Sequence, residues 1–343
     1  MKKIRRYLAK VLPTLTVLGF VGILLCFVNR WDQVTPLTII PIWIWACAGC
    51  LGCTLAWLIS RSPLCLAVFL AWLVVGVAYS DESLSLYHDL RTTFVKMGPE
   101  KAPAAPARTV RVTVLEAAGA SHDAVWDIAR FSPDIVLLQG VPTSELARLT
   151  VDFFEGDGGY VAAGDCAVLA RGKVRAAPVP PDFKGARALV EWPGGILIDA
   201  VSLRLSESYP RWDFLRPSVW QGLVDTRRSN RSSLRTIMRL YEEVVTDDET
   251  KPFRLLGGNF ATPPGDDIFR HLRSHGLEDA HALSSTGWGS TYPGDHPILR
   301  PDQLWSEPEF VPLSLSAVKI DGATHRLLMG DFLMGRSPAA PSR

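Results

Sequence analysis

Three cysteines near the N-terminus are the first residues whose type and spacing are suited to chemistry. Cys47, Cys50 and Cys53 follow one another at intervals of three residues within an apolar run. Closely spaced thiols can bind a metal ion or act as a redox pair. Small side chains at this spacing also allow membrane helices to approach one another closely. We favour the packing interpretation because the surrounding run is apolar. Only Cys166 lies beyond the first 80 residues, so the rest of the chain has no internal disulfide framework.

Four arginines form a second pattern. Arg227, Arg231, Arg235 and Arg239 recur every four residues in a helix predicted over 225–245. Residues four apart share a helix face, so these arginines form a stripe. The stripe lies beside an apolar set, namely Leu234, Met238, Tyr241 and Val245. The stripe is either a solvated face or a binding surface for anions, such as lipid headgroups or a polyanionic envelope polymer.

The composition indicates a chain with one membrane part and one soluble part. Of 343 residues, 48% are hydrophobic and 21% are charged. This is too apolar for one ordinary soluble domain and too charged for a pure membrane bundle. The net charge of +1 argues against nucleic acid as a partner. The eleven Trp and fourteen Phe exclude disorder over most of the chain.

Three apolar runs predict a multi-pass anchor over 1–79. They cover about 11–28, 37–59 and 64–79. A spanning helix needs about 17 to 25 residues, so the first two runs are long enough and the third is near the lower limit. Trp43, Trp45, Trp57 and Trp72 are candidates for interface anchors or packing residues. The first run could be a signal peptide, but we favour a retained span because no small-residue cleavage site follows it.

The basic residues near the N-terminus predict the orientation of the anchor. Five of them precede the first span without an acidic residue among them, which places the N-terminus in the cytoplasm. Three crossings then predict an inner-membrane protein with its C-terminal domain extracytoplasmic. Alanine and proline predict an extended stalk over 80–108, followed by a domain over 109–332 and a flexible tail over 333–343.

The soluble part mixes short strands with a few helices. Strands are predicted over 110–115, 134–138, 167–170, 196–203, 253–256, 303–305 and 325–329. A helix is predicted over 121–131, in addition to the long helix over 225–245. Many strands and few helices favour an α+β sandwich with the sheets inside.

Five segments then resemble one family in the order of their motifs. They read VRVTVLEA (110–117), PDIVLLQGV (133–141), GGNFATPP (257–264), RPDQLW (300–305) and ATHRLLMGDF (323–332). They resemble LRVLTWNV, PDIVLLQEV, GGDFNTPP, RIDQIW and SDHRPVVADF of the endonuclease/exonuclease/phosphatase family. The resemblance implies a four-layer α/β sandwich. A membrane-anchored subgroup is most similar, through the segments 212–217 and 287–289.

The same resemblance implies phosphoester hydrolysis, but most catalytic positions are substituted. Family members use a metal-binding Glu, usually with Mg²⁺, an Asp–Asn pair for water and phosphate, and His residues beside the phosphate. The substituted positions are Glu116 for Asn, Gly140 for the metal Glu, Arg204 for the central His, Asn259 for Asp, Ala261 for Asn and Thr324 for the Asp expected to orient the last His. Asp302 and His325 remain, as residual catalytic candidates or as structural residues.

The sequence therefore predicts a catalytically degraded, membrane-anchored pseudoenzyme that binds a ligand or partner in the cell envelope. In one alternative the protein is an active phosphodiesterase or phosphatase using Mg²⁺ or Mn²⁺, with a metal site rebuilt from Glu116 and Asp302. In the other it is a structural assembly factor of the membrane. No cofactor is favoured. Asp165, Asp199, Asp266 and Asp267 are expected to be loop or cap residues. Substrate, pathway and oligomeric state are left open.

Overall fold

A computed structural model describes most of the chain, in two compact units. It covers residues 2–80, 82–83, 85–87, 90, 109–181, 183–193, 195–209, 213, 216–242 and 251–334. The first unit contains Met1–Ser83, Ser208–Arg228 and Gly265–Asp267. The second contains Leu84–Glu207, Ser229–Pro264 and Ile268–Arg343. Most of the predicted stalk, most of the segment 212–217, Val245 and nearly all of the predicted tail lie outside the described residues.

The N-terminal part of the first unit is helical. Its helices are α1 (Lys2–Asn29), α2 (Thr35–Thr38), α3 (Ile42–Ser60) and α4 (Pro63–Ala78). The run predicted as one helix over 37–59 is therefore divided, because Pro41 precedes α3 in an extended conformation. Proline lacks the N–H group that a continuing helix would need.

Two of these helices are long and apolar enough to cross a membrane. They cover Tyr7–Asn29 and Ile42–Ser60. The third predicted span corresponds to α4, which has 16 residues. At 1.5 Å per residue α4 is about 24 Å long, which is shorter than a hydrocarbon core of about 30 Å. Length alone therefore supports two spans more strongly than three.

The cysteines and Trp72 take part in packing among these helices. Trp72 is buried, its ring meets Phe20 edge-on at 5.0 Å between centroids, and a β-carbon at Gly49 would collide with its indole. Cys53 is buried, whereas Cys47 is exposed. Across the described part of the chain, no group of three or more His, Cys, Asp or Glu side chains is placed to hold a metal ion. These contacts fit the packing interpretation of the cysteines.

The second unit is a sandwich of two six-stranded sheets. Sheet A has the order β11-β12-β1-β2-β4-β3, and sheet B has the order β5-β6-β7-β8-β10-β9. The strands are β1 (Thr109–Glu116), β2 (Ile135–Gln139), β3 (Gly158–Ala163), β4 (Cys166–Arg171), β5 (Lys173–Ala176), β6 (Gly185–Trp192), β7 (Ile196–Arg204), β8 (Phe253–Asn259), β9 (Glu278–Asp279), β10 (Asp302–Ser306), β11 (Phe310–Val318) and β12 (Leu327–Met334). One pair in each sheet is parallel, β1 with β2 and β7 with β8.

Helices cover both outer faces, as the sandwich prediction requires. The helices of the soluble part are α5 (His122–Trp126), α6 (Thr143–Phe154), α7 (Pro217–Glu242), α8 (Arg270–Ser274) and α9 (Ala280–Ser284). The core between the sheets contains Val112, Leu137, Ala188 and Leu255. One hydrophobic cluster packs α5 and α6 against sheet A. A second hydrophobic cluster packs α8 and the C-terminal part of α7 against sheet B. Alternate residues of a strand face opposite sides, so each sheet buries both faces.

Candidate functional site

The candidate site lies where the parallel strands of both sheets end. β1 ends at Glu116, opposite Gln139 at the end of β2. β7 ends at Arg204, opposite Asn259 at the end of β8, and Asp302 opens β10 beside Asn259. The carboxyl ends of neighbouring parallel strands meet at one edge, so each sheet presents a row of polar side chains there. These rows contain most of the positions identified from the motifs.

Arg204 is held between two carboxylates. Its Nε donates to Glu116 Oε2 at 2.9 Å, and its Nη1 donates to Asp165 Oδ2 at 2.7 Å. Glu116 is buried, and its Oε2 also accepts a hydrogen bond from Asn259 Nδ2 at 3.2 Å. Its Oε1 accepts the backbone N–H of Ala118 at 3.0 Å. Both oxygens of Glu116 are therefore engaged inside the protein.

The environment keeps Arg204 charged. Burial alone would lower the pKa of its guanidinium, but the hydrogen bond to Asp165 and the charge of Glu116 outweigh burial and raise it. Asp165 is therefore an ion-pair partner rather than only a loop or cap residue. Its position in a turn before β4 gave no local signal for this role.

His325 is paired with Asp302. The distance from His325 Nδ1 to Asp302 Oδ2 is 2.7 Å, and Thr291 Oγ1 donates to the same oxygen at 2.5 Å. The ring of Tyr292 lies beside the imidazole, with 4.7 Å between centroids. The structure thus brings together the two residual candidates, and it adds Thr291 and Tyr292, which the motifs did not indicate.

This pair corrects one expectation about Thr324. The absence of an Asp at 324 was expected to leave His325 without an acidic partner, but Asp302 is that partner. The Thr324 hydroxyl instead donates a hydrogen bond to the carbonyl oxygen of Ala118 at 3.0 Å. Adjacent residues project in different directions, so the residue that precedes His325 in the sequence did not predict which acidic side chain pairs with its imidazole.

Opposing effects set the pKa of His325. Burial alone would lower it, but the charge and hydrogen bond of Asp302, together with the charge of Glu116, outweigh burial and raise it. A raised pKa in the folded state means that the protonated imidazole stabilises the fold. This stabilisation is complete below the unfolded-state pKa of about 6.5 and is lost as pH rises through the folded-state value.

We expect the destabilisation caused by His325→Gln to be greatest below about pH 6 and to shrink as the pH rises. Urea unfolding of both proteins in detergent at a series of pH values measures this difference. Asp302→Asn removes the charge that raises the pKa, so His325→Gln in that background should show a flatter pH dependence. A difference that grows with pH would contradict the assignment of the pair.

Gly140, at the position where the motif resemblance implies a metal-binding Glu, has a backbone conformation that disfavours side chains. Its φ is +74°, and a β-carbon built there would lie 2.7 Å from the backbone nitrogen of Ala118. Both facts favour glycine over any residue with a side chain. The local backbone therefore favours glycine at this position.

A cross-sheet hydrogen bond that the motifs did not predict lies beside Gly140. Gln139 Nε2 donates to Ser202 Oγ at 2.8 Å, and Ser202 Oγ donates to the carbonyl of Leu138 at 3.0 Å. Both side chains are fully buried. Buried hydrogen bonds between two layers help to specify how the layers align. Gln139 Oε1 itself has no hydrogen-bond partner among the described residues. The only sequence signal was the position of Gln139 inside the second motif.

The residues at the site do not fit the divalent metal that the fold family implies. A hard cation needs oxygen ligands, preferably free carboxylates. Gly140 supplies none, both oxygens of Glu116 are engaged, and Asn259 Oδ1 accepts the backbone N–H of Ala261 at 2.8 Å. A site rebuilt from Glu116 and Asp302 would have to break the pair of Glu116 with Arg204. Asp302 Oδ1, which has no hydrogen-bond partner among the described residues, is the one oxygen of the two carboxylates that is not engaged.

The arginine stripe does not form one continuous surface. Arg227 is 1% exposed and donates to Asp266, Asp267 and the carbonyl of Arg30, at 3.1, 2.6 and 2.8 Å. The prediction that it lies on a binding surface for anions is therefore wrong, because its charge is already compensated inside the protein. Asp266 and Asp267 are ion-pair partners rather than loop or cap residues alone.

The rest of the stripe is more accessible. Arg231 is half-buried, whereas Arg235 and Arg239 are exposed, and Arg235 Nε donates to His271 at 2.9 Å. Binding of anionic lipid or polymer by these three residues stays a prediction. The apolar set is buried as expected at Leu234, Met238 and Tyr241.

Asp199 was also expected in a loop or cap, and it lies instead within β7. It forms a buried two-point ion pair with Arg187, at 2.9 and 2.7 Å. Burial raises its pKa, and Arg187 opposes that effect. Arg187 also donates a hydrogen bond to the carbonyl of Leu240 in α7 at 2.8 Å, so the pair links this helix to sheet B. The pair is separate from the candidate site.

A sandwich of two sheets, each with a central parallel pair ending in a polar cluster, defines the class of protein. Similar solved structures include an endonuclease/exonuclease/phosphatase family protein from Bacteroides thetaiotaomicron, at 11% identity and a TM-score of 0.52, covering 68% of this chain and 100% of that one. A family member from Bacteroides vulgatus has 14% identity and a TM-score of 0.50, covering 66% and 100%. A mannosyl-6-phosphatase from Bacteroides thetaiotaomicron has 12% identity and a TM-score of 0.50, covering 65% and 99%.

The soluble part therefore has the endonuclease/exonuclease/phosphatase fold, as the motifs predicted. No family sequence model matches the chain, and no curated protein matches it in sequence. At 11–14% identity the likeness establishes the fold and leaves the activity to the site residues.

Proposed function

We propose that this chain is a membrane-anchored member of the fold whose catalytic centre has lost hydrolysis and which acts by binding. The ion pairs that hold Arg204 between Glu116 and Asp165 support this proposal most directly. A guanidinium that is paired with two carboxylates is already neutralised inside the protein. Little of its positive charge is then left to stabilise the negative charge of a phosphoryl-transfer transition state.

Hydrolysis in this fold would need groups that the site lacks. Phosphoryl transfer depends on positioning and on charge stabilisation, usually by a metal ion and by residues that orient water. Gly140 has no carboxylate, and the amide of Asn259 is neutral and donates to Glu116. The pair of His325 and Asp302 remains. Residues that act as a unit lose most of their effect when the unit is incomplete.

We expect the purified full chain, in detergent, to bind Mg²⁺ or Mn²⁺ no more tightly than about 1 mM, because Gly140 has no side chain and both oxygens of Glu116 are engaged. We also expect no release of phosphate from phosphodiester or phosphomonoester test substrates above the level of His325→Ala. Calorimetry and a phosphate-release assay measure the two quantities.

Two findings together would favour the active-enzyme alternative over this proposal. The chain would bind a metal ion at micromolar concentration and lose that binding in Glu116→Gln, and it would hydrolyse a test substrate and lose that activity in His325→Ala. Asp123→Asn is a matched control, because its carboxylate is fully exposed and no motif position is at 123. Metal binding that falls equally in Asp123→Asn would indicate non-specific association with surface carboxylates.

The membrane anchor and the orientation belong to the same proposal. The apolar helices over Tyr7–Asn29 and Ile42–Ser60, together with the basic N-terminus, support an inner-membrane protein with its N-terminus in the cytoplasm. If α4 also crosses the membrane, the sandwich is extracytoplasmic. If α4 lies at the interface, the sandwich is cytoplasmic.

If α4 crosses the membrane as the sequence predicts, a reporter fused after Arg343 should report an extracytoplasmic C-terminus, because three crossings are an odd number. Paired phosphatase and fluorescent-protein fusions measure the location of the C-terminus. A second fusion after Arg61 tests the preceding loop, which should be cytoplasmic. Cytoplasmic activity at both positions would establish two spans and overturn the predicted localisation.

A further inference from the structure

The first half of α7 is held by the loop that follows α1. Trp220 Nε1–H donates to the carbonyl of Gln33 at 2.6 Å, and Arg228 Nε–H donates to Asp32 Oδ2 at 3.3 Å. Arg227 donates to the carbonyls of the two residues before Asp32, at 2.8 and 3.1 Å. All of these residues lie within the first unit. The loop directly follows the first candidate span, so in an anchored chain it keeps the first half of α7 at the membrane surface.

The next arginines of the stripe lie on the side of α7 that meets this loop. Successive residues of a helix are rotated by about 100° around its axis. Measured from Arg227, Trp220 and Arg228 lie at about 20° and 100°, so the loop contacts cover an arc of about 100°. Arg231 and Arg235 lie at about 40° and 80°, inside that arc. Because α7 is one continuous helix, Arg235 is only about 10 Å further along the axis than Arg228.

A second helix adds positive charge on this side of α7. Arg235 Nε–H donates to His271 Nε2 at 2.9 Å, which places α8 beside α7. Residues 229–241 and 268–277, here called the α7–α8 face, contain no acidic residue. They carry two histidines and five arginines, namely Arg231, Arg235, Arg239, Arg270 and Arg273. Arg235 and Arg270 are exposed, and within the described part of the chain neither forms an ion pair with a carboxylate. Their positive charges are therefore available to an external anion.

We propose that the α7–α8 face binds the phosphate groups of anionic phospholipids at the surface of the membrane that anchors the chain. Exposed charges act over roughly 10 Å at ordinary ionic strength, which is about the distance from Arg228 to Arg235 along the helix. Guanidinium groups donate paired N–H bonds to phosphate oxygens. A soluble polyanion would meet the same charges, but the loop contacts keep only a lipid surface next to this face. The proposal rests on the membrane anchoring in the proposed function and is independent of the loss of hydrolysis.

Titration of the full chain in a neutral detergent with short-chain phosphatidylglycerol tests this surface. Phosphatidylcholine of the same chain length is the reference without net charge. We expect phosphatidylglycerol to bind more tightly, and we expect the difference to shrink from low to physiological salt because exposed charges are screened. The double variant Arg235→Gln/Arg270→Gln should bind phosphatidylglycerol about tenfold more weakly or worse, since two basic residues near a lipid surface contribute that much. Its affinity for phosphatidylcholine should be unchanged.

Two further variants separate this role from other effects of the substitutions. Arg130→Gln/Arg175→Gln removes two exposed arginines outside the face and the same amount of charge, so it should bind phosphatidylglycerol as the native chain does. Arg235→Lys/Arg270→Lys retains both charges and should keep most of the affinity for phosphatidylglycerol. A purely structural role of the bond from Arg235 to His271 would instead weaken the glutamine and lysine variants alike.

Four results would overturn the inference. They are equal affinities of the native chain for the two lipids, unchanged phosphatidylglycerol binding in the glutamine variant of the face, an equal loss in the control variant, and an equal loss in the lysine variant. Inorganic polyphosphate that binds more tightly than phosphatidylglycerol at the same phosphate concentration would replace the lipid with a soluble polyanion. The phosphate-release assay and the reporter fusions are separate readouts, so hydrolysis and topology are decided whether or not the lipid binds.

Discussion

Replacing Arg227 with alanine is expected to destabilise the first unit by about 3–5 kcal/mol, the range for breaking a buried ion pair. The side chain is 1% exposed, and Asp266, which accepts from its Nε, is equally buried. Removing the guanidinium leaves that carboxylate without its main compensation. It also removes the donor to the carbonyl of Arg30. Urea unfolding in detergent measures the loss, provided that the transition of this unit is resolved.

Two variants make the prediction specific. Arg235→Ala on the same helix removes an exposed arginine, and we expect it to cost less than about 1 kcal/mol. Arg227→Lys retains a charge but not the forked geometry that reaches Asp266 and Asp267 together, so its cost should fall in between. Equal stabilities for Arg227→Ala and Arg235→Ala would mean that the buried cluster contributes little.

Restoring the family's acidic residue at position 140 is expected to damage the protein rather than recover a metal site. Gly140→Ala should cost roughly 2–4 kcal/mol, from strain at positive φ and from overpacking against backbone. The φ of +74° and the 2.7 Å approach to Ala118 N are the structural causes. Gly140→Glu should cost at least as much and should leave Mg²⁺ affinity unchanged. Denaturant titration and calorimetry measure the two effects.

Gly164 is the matched control for Gly140. Its φ is +61°, but a β-carbon there would meet nothing within 4 Å. Gly164→Ala therefore carries only the backbone strain, which we expect to cost about 1 kcal/mol. Similar losses of unfolding free energy in Gly140→Ala and Gly164→Ala would show that the backbone near Ala118 moves to accommodate the β-carbon at little cost. Tight Mg²⁺ binding by Gly140→Glu would show that one substitution suffices to rebuild the centre.

Much of the architecture could be predicted from local patterns. The strand predicted over 134–138 is Ile135–Gln139, and that over 253–256 lies within Phe253–Asn259. The long helix begins earlier than predicted, at Pro217, because residues before 225 continue the helical pattern. Buried strands and amphipathic helices have characteristic hydrophobic periods, so these elements are visible in the sequence. Five strands, β3, β5, β6, β9 and β11, were not predicted. Of these, β3, β5 and β11 are partly exposed edge strands, whose patterns are weaker, and β9 has only two residues. β6 is mostly buried and has no such explanation.

The sequence by itself determined the order of the motifs, from which the fold was predicted, and it placed Gly140 and Asn259 where the resemblance implies carboxylates. Only the tertiary structure decided which charges pair. Asp302 rather than a neighbour in sequence holds His325, and Asp165 joins Arg204 from 39 residues away. Arg227 lies inside the protein although its helical spacing matches that of exposed arginines. Periodicity fixes the direction of a side chain on its own element, whereas the partner depends on which distant strands and loops the fold brings together.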